Sequence, residues 1–368
     1  MRDEKIYQLA LSCIPNIGPV QVKRLLEYYE RPQYIFEASF KELKNIEQIG
    51  EARARDIRDF RDFDVAAYEL DFMDQHGINL VFYTDSRYPH RLRNCFDPPI
   101  FLFAKGDMEL NVAKIIAVVG TRSNSSYGKS VTEELIQSLK GQKGILVVSG
   151  LALGIDAIAH RACLENGIPT VGVLGHGLGS IYPFQHKSLA EKMMECNGGI
   201  LSEFFHEVAP DKYNFPRRNR VVAGLADATI VVETATKGGS MITAELANGY
   251  NRDVFAVPGK LTDAKSAGCN WLIANKKAEL YGSPKDFMQL MGWDEVKKAN
   301  HFRQRQLFVD FDENEFVLVK ILEEKNGISI DELAGLAEMS QGKTASALLN
   351  LELKGVVESL PGKRYALV

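Results

Sequence analysis

Between residues 114 and 260 one pattern recurs. A short run of Val, Ile and Ala stops at a glycine or small polar residue, and a stretch long enough for a helix follows. The runs are 115–119 before Gly120-Thr121-Arg122, 145–148 before Ser149-Gly150, 170–174 before Gly175, 199–202, 228–232 before Glu233-Thr234, and 253–257 before Pro258-Gly259. Runs that are apolar throughout, not alternating, belong to strands buried on both faces. Strands alternating with helices are the signature of a parallel sheet covered by helices. The pattern predicts an α/β domain with an extended Rossmann-like parallel sheet over 111–292. Ligands of such sheets sit beyond the carboxyl ends of the strands, where the Gly, Ser, Thr and Arg residues collect.

The flanks differ. Ile14-Pro15-Asn16-Ile17-Gly18 with Val22 and Leu25 is echoed 32 residues later by Ile46-Glu47-Gln48-Ile49-Gly50 with Ala54 and Ile57. Helix, tight turn, helix fits both copies, so 1–65 reads as a helical domain of helix-hairpin-helix (SAM-like) type. Its turns either offer N–H groups to phosphate or only pack the module. Residues 66–110 read as a connector packing on the sheet domain, with a helix-like 66–76 and a strand at 79–83. The polar stretch 293–310 reads as a linker. In 311–368, helices over 315–324, 329–337 and 340–353 precede a hairpin at 356–359 and 364–367, which makes a winged helix.

Charge is uneven. The chain carries 44 Lys and Arg against 48 Asp and Glu. Residues 111–290 hold 19 cations and 16 acids, whereas 311–368 hold 6 and 10. The positive excess therefore lies on the central domain. Helix 340–353 offers only Lys343 against Glu352, which favours a protein-contact or regulatory role over duplex reading. No apolar run is long enough to span a membrane, and the amino terminus lacks a signal-peptide core. Five scattered cysteines without a C-x-x-C pair suggest reduced thiols in a cytoplasmic protein, with no zinc site.

Four loops on the expected carboxyl rim could receive anions. Ser149, Gly150 and Gly154 form a flexible loop opening a helix, which also fits a tight strand-to-helix turn. It lacks the Lys-Ser/Thr of a P-loop and is not G-x-G-x-x-G, so no nucleotide cofactor is expected. Gly120 and Arg122 precede a Ser-rich helix start. Lys237, Gly238, Gly239 and Ser240 open another helix. Arg217, Arg218, Asn219 and Arg220 sit at a third. Arginine there does not complement the helix dipole, so it either meets an external anion or pairs with Glu203, Glu233 or Glu245. Several anion sites along one rim suit a polyanion. Tyr127, Tyr182, Phe184 and Phe215 lie among them, and cations mixed with aromatics are the pattern for single-stranded nucleic acid. His160, between apolar helix positions, reads as structural.

The segments V-V-G-T-R (118–122), S-G-L-A-L-G-I-D-A-I-A-H (149–160), V-L-G-H-G-L-G-S-I-Y-P (173–183), F-P-R-R-N-R-V-V-A-G-L (215–225), G-G-S-M-I-T-A-E (238–245) and V-F-A-V-P-G (254–259) occur in this order. In this order they resemble the DprA/Smf family of bacterial DNA-processing proteins. The resemblance implies single-stranded DNA binding in the Rossmann groove, homodimerisation, and loading of RecA recombinase during natural transformation, with no catalysis. It also implies that Arg122 and the 149–154 loop hold phosphates, and that Phe184 and Lys187 lie beside a base and a phosphate. His176 and Ser180 depart from the usual residues of their loop. A second, weaker resemblance is to nucleoside-monophosphate phosphoribohydrolases, with Glu245 as the acting carboxylate. Lys237 replaces that family's Pro, and Met241-Ile242 its Gly-Thr.

Overall fold

Eight strands of the amino-terminal unit share one sheet: β1 (Asn79–Phe82), β2 (Phe101–Lys105), β3 (Lys114–Val119), β4 (Ile145–Ser149), β5 (Thr170–Leu174), β6 (Gly199–Ser202), β7 (Ala228–Val231) and β8 (Asp253–Ala256). This computed structural model describes residues 2–293 and 311–368. The described chain forms two compact units, Met1–Ala278 and Glu279–Val368. The strand order is β1-β2-β6-β5-β4-β3-β7-β8. The inner strands β6 to β8 run parallel, as the continuous apolar runs predict. The order reverses between β3 and β7, so the carboxyl ends of these two strands mark the switch point where such sheets take ligands.

Residues 66–110 do more than connect. Phe101–Lys105, not expected as a strand, pairs antiparallel with both β1 and β6 and extends the sheet. Its period of two is visible in its packing. Phe101 and Phe103 enter one core, and Leu102 and Ala104 enter the core on the opposite face. Arg91, 2% exposed, ties this segment to the sheet. Its Nε donates to Asp227 Oδ1 at 2.6 Å, and its Nη atoms donate to the carbonyls of Val112 and Ala113.

Six helices precede the sheet: α1 (Arg2–Ala10), α2 (Pro19–Leu26), α3 (Pro32–Glu37), α4 (Phe40–Lys44), α5 (Gly50–Asp59) and α6 (Asp64–His76). The two hairpin turns lead into α2 and α5. Val22, Leu25, Ala54 and Ile57 are all buried and share the core that Phe101, Phe103 and Ile200 enter. The matching turn residues Asn16 and Gln48 both take positive φ, 58° and 69°. Arg53 joins the turns by donating to the carbonyls of Asn16 (3.0 Å) and Gln48 (2.8 Å).

The helices that follow in this unit are α7 (His90–Arg93), α8 (Ser126–Ser138), α9 (Ile155–Asn166), α10 (Lys187–Glu195), α11 (Asn214–Leu225), α12 (Gly239–Gly249) and α13 (Ala267–Ala274). In the second unit lie α14 (Pro284–Leu290), α15 (Glu313–Glu324), α16 (Ile330–Leu336) and α17 (Gln341–Leu353). Strand 364–367 pairs antiparallel with 357–360 and with 328–329. These elements make the winged helix. Ser329 caps α16 by accepting from the Glu332 N–H at 3.3 Å. Asp331 is buried and accepts from Gln341 at 3.0 Å. The stretch 279–292, expected with the sheet domain, falls in the second unit. The expected linker, apart from Trp293, lies outside the described residues.

His160 on α9 is fully buried, with Nδ1 2.7 Å from Thr170 Oγ1, whose hydroxyl donates to the Val147 carbonyl. Burial lowers its pKa to about 3. Below about pH 6.5 the unfolded chain therefore takes up a proton that the folded protein refuses until about pH 3. Stability should fall as pH drops through that window, by up to about 1.4 kcal/mol per unit for this one site. Urea unfolding across the window checks this, and His160→Gln should flatten the dependence.

Candidate nucleic-acid interface

The carboxyl ends of β3, β4 and β7, with the starts of α11 and α12, enclose a cleft of about 550 Å³. Its lining includes Gly120, Arg122, Gly150, Arg218, Asn219, Gly238, Gly239 and Ser240 from the expected set. Lys212, Asp156 and Thr234 join them.

The expected anion loops do not have equal standing. In the 149–154 loop, the N–H groups of Gly150 and Ala152 already donate to the Asp156 carboxylate, at 3.1 and 3.3 Å. Ser149 is buried and donates to the Val118 carbonyl at 2.6 Å. Gly154 has φ +77°, and a Cβ there would strike the Thr121 carbonyl. The loop is thus a tight strand-to-helix turn satisfied by its own acid, and Asp156 takes the place expected for a phosphate. The start of α8 is filled in the same way. Glu233, fully buried, accepts from the Ser125 N–H at 2.8 Å and from its hydroxyl. Ser125 in turn caps the helix by accepting from the Gly128 N–H at 3.1 Å. At α12 the cap position is Gly238, with no side-chain cap, and a Cβ on Gly239 would meet nothing within 4 Å. This helix start is open toward the cleft.

The arginine cluster divides as well. Arg218 is buried and donates to the carbonyls of Gly150 and Val173, the latter at 2.6 Å. Burial lowers its pKa to about 10, with Asp156 opposing, so it stays charged at neutral pH. Arg220 is buried against Glu203 and the Asp97 carbonyl. That pairing corrects the expectation of Arg220 as a DNA contact, because its charge is spent inside the protein. Arg217, 57% exposed, lies 3.7 Å from Glu203, with its guanidinium over the Phe204 ring. Helical geometry accounts for the division: residues 217 and 220 are neighbours on one face, and 218 is turned about 100° away.

Free cations remain at the rim. Arg122 is exposed and stands 5.3 Å over the Phe215 ring. Lys212, Lys187 and Lys237 are exposed. Lys212 was not among the expected residues, although its place in Asp211-Lys212-Tyr213, just before the arginine cluster, is a readable signal. A smaller adjoining hollow is lined by Arg122, Leu153, His176, Tyr182 and Phe215. Phe184, 76% exposed, lies beyond Tyr182 and Pro183. Burial lowers the His176 pKa, which favours a neutral ring. Glu245 is exposed on α12, 3.9 Å from Lys277, and does not line the cleft. Among the described residues no His, Cys, Asp and Glu group could hold a metal.

The sheet, its extended edge and the winged helix define an extended Rossmann-fold protein with a carboxyl-rim cleft. The family model for DNA recombination-mediator protein A matches residues 79–292, and that for the DprA winged helix domain matches 315–363. The chain belongs to this DprA/Smf family of DNA-processing proteins. Protein Smf of a Synechocystis strain is 32% identical, over 98% of this chain and 98% of that relative. DNA processing protein DprA of Bacillus subtilis is 40% identical, over 59% of this chain and 72% of the relative. The crystal structure of DprA from Streptococcus pneumoniae is 33% identical with a TM-score of 0.63, covering 78% of this chain and 96% of that one. A structure of DNA processing protein A from Helicobacter pylori, described for its single-stranded DNA binding mode, is 30% identical with a TM-score of 0.50. It covers 57% of this chain and 94% of that one.

The two kinds of arginine should separate in a stability assay. Arg220→Met leaves Glu203 buried without its main partner and should cost about 3–5 kcal/mol. Arg217→Ala removes a largely exposed contact and should cost under about 1 kcal/mol. Chemical denaturation of both variants checks the difference.

Proposed function

We propose that this protein binds single-stranded DNA along the carboxyl rim of its sheet and passes it to a RecA-type recombinase, without catalysis of its own. The observation that carries the binding is Arg122. It is exposed, makes no ion pair among the described residues, and stacks on Phe215 at the mouth of a cleft whose far wall is the uncapped start of α12. A cation on an aromatic beside free N–H groups suits a phosphate followed by a stacked base. Asn219, Gly238, Gly239 and Ser240 line the same cleft, and Phe184, Lys187, Lys212 and Lys237 continue the rim. Arg218 and the 149–154 loop, answered by Asp156, form the floor of the cleft. The Helicobacter pylori relative, a single-stranded DNA binder by its description, supports the ligand class. Recombinase loading, homodimerisation and a cytoplasmic setting rest on family membership.

The exposed outer position of Glu245 supports the binding reading over a phosphoribohydrolase. A hydrolytic carboxylate must reach the sugar it acts on, and Glu245 instead lies beside Lys277. AMP incubated with the protein should yield no free base. Base release that disappears in Glu245→Ala would overturn this reading.

Single-stranded DNA should bind more tightly than duplex of equal length at equal salt. Arg122→Ala should weaken single-strand binding more than Lys343→Ala does. It should also flatten the log–log salt dependence by about 0.7, the effect of one lost phosphate contact. Titration of both variants at several salt concentrations, with thermal melting as the fold check, tests this. Unchanged affinity and slope for folded Arg122→Ala would put the phosphate elsewhere.

A further inference from the structure

The rim continues past the cleft. In the strand order, β8 lies beyond β7 on the side away from β4 and β5. The loop after β8, residues 257–266, therefore emerges on the same edge as the cleft. It is braced. The Thr234 N–H donates to the Lys265 carbonyl at 2.7 Å, and Thr234 itself lines the cleft. Asn270 holds Gly259 from both sides, accepting from its N–H at 3.2 Å and donating to its carbonyl at 3.0 Å. Tyr127 donates its hydroxyl to the Pro258 carbonyl at 2.9 Å and leaves its ring 47% exposed.

On this braced loop the side chains are of an unusual kind. Leu261 is 93% exposed, the most exposed large apolar residue described. Lys260 is exposed, Lys265 is half-buried, and neither makes an ion pair among the described residues. The loop's own acid, Asp263, is engaged locally by the Lys265 N–H and the Ser266 hydroxyl. An apolar side chain held in water by a rigid loop is costly unless something covers it, and cations on either side select an anionic cover.

We infer that the single-stranded path runs beyond the cleft onto this loop, where Lys260 and Lys265 meet phosphates and Leu261 and Tyr127 meet bases. The inference rests on the binding function proposed above and adds a second contact zone to it. From the end of β5, beside Phe184 and Lys187, to the end of β8 is four strand spacings, about 19 Å at about 4.8 Å each. A strand filling that span contacts more of the protein than one confined to the cleft.

The test compares oligothymidylates of about 6 and about 20 nucleotides on the full chain, lengths bracketing a compact binding site. In the wild type the longer one should bind more tightly. The double variant Lys260→Ala/Lys265→Ala should lose about tenfold for the long oligonucleotide, with a salt slope flatter by about 1.4 for two phosphates, and should bind the short one as before. In Leu261→Trp, indole emission should be quenched by the long oligonucleotide and not by the short. Equal loss for both lengths, no loss for the long one, or no quenching would overturn the second zone while leaving the cleft reading intact. Failure of the short oligonucleotide to bind the wild type, with no effect of Arg122→Ala, would instead bring down the cleft reading, and this inference with it.

Discussion

Arg218 leaves α11 and ends beneath the carboxyl edge of the sheet, where it donates to the carbonyls of Gly150 and Val173 at the ends of β4 and β5. A buried guanidinium needs partners for its charge and for its donors. Asp156 supplies the charge, and in the same place holds the N–H groups of Gly150 and Ala152. One pair thus fixes the strand-to-helix turn at Gly150–Gly154, the start of α9 and the inner end of α11. The floor of the cleft is the surface of this arrangement. A Cβ on Gly150 would collide with the Arg218 guanidinium, so the glycine is required by close approach and not by the turn alone.

The same device recurs at α8, where Glu233 occupies the helix start. Two helix amino-termini that face the rim are therefore neutralised by acids of the chain itself, and the rim is selective as a result. A ligand meets the open start of α12 and the free cations Arg122, Lys212 and Lys237, with Phe215, Tyr182 and Phe184 as apolar faces. The net charge of −4 does not oppose this, because the excess of acids lies in the flanking segments. In the winged helix, α17 presents Lys343 together with exposed Leu349 and Leu353. This helix offers little for a duplex phosphate backbone, whose affinity follows the number of cations supplied.

Much of the fold was legible. The parallel strands could be read because burial on both faces imposes a continuous apolar run, and the glycines after them mark where the chain turns at the carboxyl edge. The hairpin echo could be read because its spacing of buried positions repeats. Phe101–Lys105 escaped because Pro98-Pro99 just before it signal a break in regular structure, which masked a run no shorter than the strands that could be read. The anion loops were located correctly as loops, yet their internal acids were invisible. Asp156 is only two residues past Gly154, whereas Glu233 is 108 residues from Ser125, and neither pairing has a local signature.

Sequence by itself determined the class of fold, the order of the elements and the band of the chain that lines the rim, since those depend on local periodicity and on residues with special backbone freedom. Tertiary structure alone decided which of the three arginines in Arg217-Arg218-Asn219-Arg220 stays largely exposed, which forms the floor and which is buried against Glu203. The physical reason is that a charge acts outward only when nothing inside answers it. The answering groups come from strands and loops far away in sequence, brought together by the sheet.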